Sequence, residues 1–191
     1  MSSSEAPRLA VFVSGRGGNL RAILAHGLPV ALVVADRPAP AWRAARAAGL
    51  PACVVEPAAF GDRAAFDAAL ATVLAAYGIG LVALAGFMRV LGPELVGAWR
   101  GRMLNIHPSL LPAYRGLRTH RRALADGARR HGCTVHWVTA QLDAGPVVQQ
   151  SVVPVLEDDD EAQLARRVAR AERRLYPRVI ERALLGKIAL R

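Results

Sequence analysis

A chain of 191 residues with 53% hydrophobic content has room for one domain with a full core, burying about 70% of its unfolded surface. No apolar run reaches the ~18 residues of a membrane span, and the start, MSSSEAPRLAVFV, lacks the basic segment of a secretory leader. The net charge of +10 invites a nucleic-acid reading; it is set aside because Lys187 is the only lysine in an Ala-, Gly- and Pro-rich chain and the few aromatics do not interleave with the arginines.

In chain order, strand-like runs cover 8–14, 30–36, 51–57, 78–86 and 102–107. Helical stretches at 18–26, 40–49 and 62–77 separate the first four, with Asp62 as an N-cap and Gly78 as a stop. These strands are continuously apolar rather than alternating, the mark of burial on both faces. A helix near 117–128 precedes two strands, 132–139 and 145–155, which can pair antiparallel at a sheet edge. An amphipathic helix closes the chain over 160–185, with a capping box from Asp158 and Glu161 and a kink or break at Pro177. The expected fold is α/β: an open, doubly wound, mostly parallel Rossmann-like sheet with antiparallel edge strands and a long C-terminal helix. Residues 1–191 read as a single domain, with a phosphate-binding half (1–100) and a catalytic half (101–191).

Three motifs carry chemistry. SGRGGNL, Ser14 to Leu20, links the first strand to the first helix. Glycines at a helix N-terminus leave backbone N–H groups free for an anion, and Asn19 adds a side-chain amide. The loop lacks a Walker lysine and half-matches a dinucleotide fingerprint, with Gly15 and Gly17 in place and Asp36 where a ribose-binding acid would sit. In MLNIHPSLLPAYRG, Asn105 and His107 are two apart on a strand, so both project from one face at the strand's end. An uncharged N–H donor beside a titratable one suits a developing oxyanion. In QLDAGPVV, Asp143 sits in a loop; a carboxylate able to reach His107 would orient the imidazole, raise its pKa and accept a proton. Cys53 and Cys133 lie in apolar runs without a CxxC and read as reduced core thiols of a cytoplasmic protein. His131, Cys133 and His136 alternate between strand faces, so no metal site is expected, and His136 reads as a supporting or core histidine.

The stretches VFVSGRGGNLRAIL, LAGFMRVL, MLNIHPSLLPAYRG, HGCTVHWVTAQLDAGPVVQQ and AERRLYPRVI together resemble the folate-dependent formyltransferases. NIHPSLLP with a downstream LDAGP is shared by the wider family, and SGRGGNL points to its glycinamide ribonucleotide branch. The resemblance implies formyl transfer from 10-formyltetrahydrofolate to the amine of glycinamide ribonucleotide, in purine biosynthesis, without a metal. By position it implies that Asn105, His107 and Asp143 are catalytic and that Gly17, Gly18 and Asn19 hold the phosphate. It implies further that Glu172 contacts the ribose or glycine end. Met88, Arg89, Val90 and Leu91 would line the pterin pocket, with Ala140, Gln141 and Leu142 in its other wall, and Arg63 would approach the glutamate tail. No nucleic acid or membrane partner is implied, and the chain would be a monomer or homodimer.

The chain departs from the pattern where family members commonly carry serine at the position of Gly18, and where many carry proline and histidine at those of Arg115 and Arg118. It is also short between residues 36 and 50. Alternatives are a methionyl-tRNA formyltransferase, a formyltetrahydrofolate hydrolase, or a dinucleotide-binding module built on Gly15, Gly17 and Asp36.

Overall fold

A computed structural model of the protein describes residues 7–190. The strands are β1 (Arg8–Val13), β2 (Val30–Ala35), β3 (Ala52–Val54), β4 (Ile79–Leu84), β5 (Met103–His107), β6 (Arg130–Trp137) and β7 (Val147–Pro154). They form one sheet in the order β3-β2-β1-β4-β5-β6-β7. Pairing is parallel from β3 through β5. It is antiparallel between β5 and β6 and between β6 and β7, as the edge hairpin reading expects.

Burial on both faces explains the apolar runs. In β1, Leu9, Val11 and Val13 enter one core layer, under α1 (Gly18–Ala25), α2 (Pro40–Ala47) and α6 (Glu161–Leu184). Ala10 and Phe12 enter the other, under α3 (Arg63–Ala76) and α4 (Pro93–Ala98). Successive side chains point to opposite faces, so a strand sandwiched between helices has no polar side to show. The Asp62 carboxylate caps α3 by accepting from Ala65 N–H at 2.8 Å.

Five local details differ from the sequence expectation. β3 is three residues long rather than 51–57, because Pro57 starts a 3₁₀ turn over Pro57–Ala59. The short helix α4 lies in a stretch with no predicted element. The α6 capping box is formed by Asp160 and Gln163, not by Asp158 and Glu161. In addition, α6 continues as one helix through Pro177, so of the expected kink or break the break does not occur. An interior proline costs a helix ~3 kcal/mol. That cost is offset by burying Leu175, Tyr176, Val179 and Ile180 against the sheet. The Tyr176 hydroxyl also lies 3.1 Å from Leu84 O and 2.9 Å from Leu104 O, tying α6 to β4 and β5. α5 (Thr119–Ala125) is shorter than the predicted 117–128. Cys133 is fully buried, its thiol pushed up to about 12 chiefly by desolvation, while Cys53 is half-buried on β3.

Candidate active site

Cross-strand register builds the centre of the site. Asn105 on β5 pairs directly with His136 on β6, which puts both side chains on one sheet face. Ile106, between Asn105 and His107, enters the opposite core layer. The β6–β7 connection folds back over that face and brings Asp143 onto both histidines. Asp143 Oδ2 is 3.3 Å from His107 Nδ1, and Oδ1 is 3.7 Å from His136 Nε2. All three side chains are buried.

Hydrogen-bond logic assigns the protons. A carbonyl oxygen only accepts, so His107 Nε2 carries the hydrogen it donates to Tyr114 O at 3.0 Å. His136 Nδ1 likewise donates to Trp137 O at 3.0 Å, leaving its Nε2 to accept from Asn105 Nδ2 at 3.1 Å. Gly116 N–H donates to Asp143 Oδ2 at 2.9 Å. One proton of the Asn105 amide remains uncommitted.

The backbone is arranged to make these contacts. Tyr114 has φ +57° and Asp143 φ +48°, left-handed conformations that side-chain-bearing residues adopt at a cost and that cluster at functional sites. Gly145 shapes the loop by close approach: a Cβ there would run into the carbonyl of Trp137. The segment after β5 is held by Thr134, whose hydroxyl donates to Ser109 O at 2.7 Å and accepts from Leu111 N–H at 3.0 Å.

The electrostatics correct one expectation. Asp143 alone would raise the pKa of His107. Burial acts against the charged imidazole more strongly and lowers it, with Tyr114 O and Asp143 pulling the other way. Burial also opposes ionisation of Asp143, but His136, the Gly116 N–H and His107 together hold its carboxyl below the usual carboxylate range. At rest the pair is therefore an anionic Asp143 beside an imidazole that resists a second proton.

A second histidine cluster lies behind the loop after β5. His131 Nε2 is 3.2 Å from His120 Nδ1, and desolvation, then His120 and His107, lower His131 to about 4. The unfolded chain binds a proton at this residue below about pH 6.5. The native chain does not until about pH 4, so stability is full above pH 6.5 and declines as pH falls through that window. The lowered His107 and His120 act with the same sign. The thermal midpoint should fall from pH 7 to pH 5, and His131→Phe should flatten that slope. A midpoint that rises on acidification would contradict it.

The phosphate-loop residues and Glu172 meet across the molecule. Gly17 N-caps α1 with φ +76°, a conformation suited to glycine, and is packed so closely on Ala41 that a Cβ would lie 2.7 Å from that residue's Cβ. Asn19 Nδ2 donates to Glu172 Oε2 at 3.1 Å. Burial raises the Glu172 carboxyl, against the opposing pull of Asn19 and Arg173.

Of the residues after β4, Met88 and Val90 are exposed, whereas Leu91 turns into the core under α3 and α4. Arg63, Arg89 and Val90 share a cleft of about 260 Å³ with Pro57, Phe60, Asp62 and Phe66. Leu142 is also exposed, and Ala140 and Gln141 precede it in the same loop. Three anchors of this region lie beyond the reach of local sequence patterns. Asp36, its side chain fully buried, accepts from Arg89 Nε at 2.7 Å, so it is not open to a ribose. Ser14 Oγ accepts from Met88 N–H at 2.8 Å. Asp67 Oδ2 accepts from Gly92 N–H at 2.6 Å. His131, Cys133 and His136 are dispersed as expected: to His120, to the core and to Asn105.

Residues 7–180 of the chain that builds this sheet and site match the formyl transferase family, and the chain belongs to that family. Among its relatives, the phosphoribosylglycinamide formyltransferase of Escherichia coli (strain K12) is 41% identical, across 95% of this chain and 89% of that one. The trifunctional purine biosynthetic protein adenosine-3 of Drosophila melanogaster is also 41% identical, but the chain spans only 14% of its length. In three dimensions the chain resembles glycinamide ribonucleotide transformylase 1 from Symbiobacterium toebii, with a TM-score of 0.94 and 45% identity over 100% of this chain and 96% of that one. Among the described residues, no helix is long and apolar enough to cross a membrane.

Proposed function

We propose that the chain is a cytoplasmic enzyme that transfers the formyl group of 10-formyltetrahydrofolate to the amine of glycinamide ribonucleotide. The products are formylglycinamide ribonucleotide and tetrahydrofolate. The observation that carries this reading is the convergence of Asn105, His107 and Asp143 on one face, with Oδ2 of the aspartate 3.3 Å from the imidazole.

In this reaction the amine nitrogen attacks the formyl carbon and charge collects on the formyl oxygen. The carbon–N10 bond breaks as that charge collapses, and a proton leaves the attacking nitrogen while N10 gains one. Asn105 offers its uncommitted N–H to the oxyanion, and the other N–H, held by His136, fixes the amide plane. One such donor is worth ~3 kcal/mol. His107 is the second donor once Nδ1 is protonated. Its 3.3 Å separation from Asp143 is longer than the ~2.8 Å of a charge-assisted bond, so the formyl oxygen can compete for that proton. Asp143 accepts the amine's proton directly or through one water. The transfer is direct, within a ternary complex.

For the donor, the cleft with Arg63 and Arg89 at its rim suits an apolar ring followed by a carboxylate tail. Exposed Met88, Val90 and Leu142 supply apolar surface, and Ala140 and Gln141 continue that wall. For the acceptor, the N–H groups at Gly17, Gly18 and Asn19 suit a phosphate, with Glu172 beyond.

The test is an assay with both substrates that follows folate absorbance. Signal that requires the amine supports the reading. Formate release without it would favour a hydrolase, and thermal stabilisation by NAD alone would favour a dinucleotide module. The Asp36 anchor predicts a selective effect. Asp36→Asn removes the buried charge that holds Arg89, so KM for the folate should rise about three- to tenfold with kcat nearly unchanged. Unchanged KM in steady-state kinetics would detach Asp36 from folate binding.

A further inference from the structure

The space beside Gly18 is already taken. An ideal Cβ on Gly18 would lie 3.0 Å from Arg173 Nη2 and 3.1 Å from Arg173 Nε. The guanidinium of α6 thus lies against the backbone at the point where loop 14–17 becomes α1. One residue earlier on α6, Glu172 takes the amide of Asn19. Two successive α6 side chains of opposite charge therefore meet the first two residues of α1. The first intrahelical bond of this turn is Arg21 N–H to Gly17 O at 2.9 Å, which leaves the N–H groups of Gly18, Asn19 and Leu20 ahead of it. Arg173 is exposed and takes part in none of the ion pairs within 4.0 Å among the described residues.

We propose that Arg173 is a phosphate-binding residue for the ribonucleotide, supplying from α6 the contact that a side chain at position 18 would otherwise make. This rests on the ribonucleotide reading of the site. A guanidinium presents a planar fork of donors that matches two phosphate oxygens at once, and its full charge adds to that of the helix terminus. A serine at 18 and the guanidinium in its present place would crowd the same few ångströms, so one of the two would have to shift. The absent side chain at 18 and the arginine at 173 form one unit.

The proposal is tested with glycinamide ribonucleotide and its dephosphorylated riboside as alternative acceptors. Arg173→Ala should raise KM for the ribonucleotide about tenfold, leave kcat within about twofold, and leave kcat/KM for the riboside unchanged. Arg173→Lys should lose less. Gly18→Ser should recover part of the loss in the Arg173→Ala background and improve nothing when Arg173 is present. An unchanged KM in Arg173→Ala, or equal losses on both acceptors, overturns the proposal. Calorimetric titration with inorganic phosphate separates its failure from that of the functional reading. Arg173-dependent phosphate binding in a protein that transfers no formyl group upholds the phosphate contact and rejects the ribonucleotide reaction. Formyl transfer with phosphate binding unaltered by Arg173→Ala rejects the contact alone.

Discussion

Asp143→Asn should reduce kcat about a thousandfold while leaving KM for both substrates and the thermal midpoint close to wild type. The substitution keeps the shape of the side chain, and the amide oxygen can still accept from Gly116 N–H as the carboxylate does at 2.9 Å. Held that way, the amide oxygen keeps the Oδ2 place and the NH₂ takes the Oδ1 place, facing His136 Nε2 rather than His107. His107 Nδ1 then has no carboxylate beside it to favour its protonated form, while Nε2 keeps its hydrogen for Tyr114 O. One change thus removes both the acceptor for the amine's proton and the counter-charge of the imidazolium. General acid–base assistance is typically worth ~10²–10⁴-fold, and both halves of it are lost together. The rate should also stop depending on pH through the midpoint of the pair. Turnover near the wild-type value would take Asp143 out of the mechanism.

Asn105→Ala should lower kcat by about 10²–10³ with little change in KM, the signature of an interaction realised only in the transition state. The amide also caps His136 Nε2 at 3.1 Å, so its loss leaves a buried ring nitrogen without a donor. A modest fall in thermal midpoint should accompany the loss of rate. Asn105→Asp separates the two effects. It keeps the volume but sets a second carboxylate next to Asp143 and replaces the donor with an acceptor. Its rate should be at or below that of the alanine variant. An aspartate variant faster than alanine in single-turnover measurements would mean that position 105 acts by filling space.

The two-faced burial of β1, β2 and β4 is written directly in their apolar runs, and the edge hairpin in the turn residues between β6 and β7. β3 was overextended because the strength of an apolar run does not say that the strand is an edge. The six residues of α4 are too few to show a period, and five consecutive acids at 157–161 hide which of them caps α6. Asn105, His107 and Asp143 were legible from residue type and position. Their protonation was not: sequence shows a neighbouring carboxylate but not the desolvation that outweighs it. Asp36 illustrates the same limit, since its partner Arg89 lies on a different loop and only the fold brings them together.

The proposed proton acceptor and the proposed oxyanion donor are carried on parts of the sheet that differ in how firmly they are anchored. Asn105 stands on β5, which is bonded to neighbours on both sides, whereas Asp143 hangs from a ribbon whose last strand, β7, has a free margin. Such a margin is the first part of a sheet to open. Deuterium should therefore enter β7 amides sooner than those of β5.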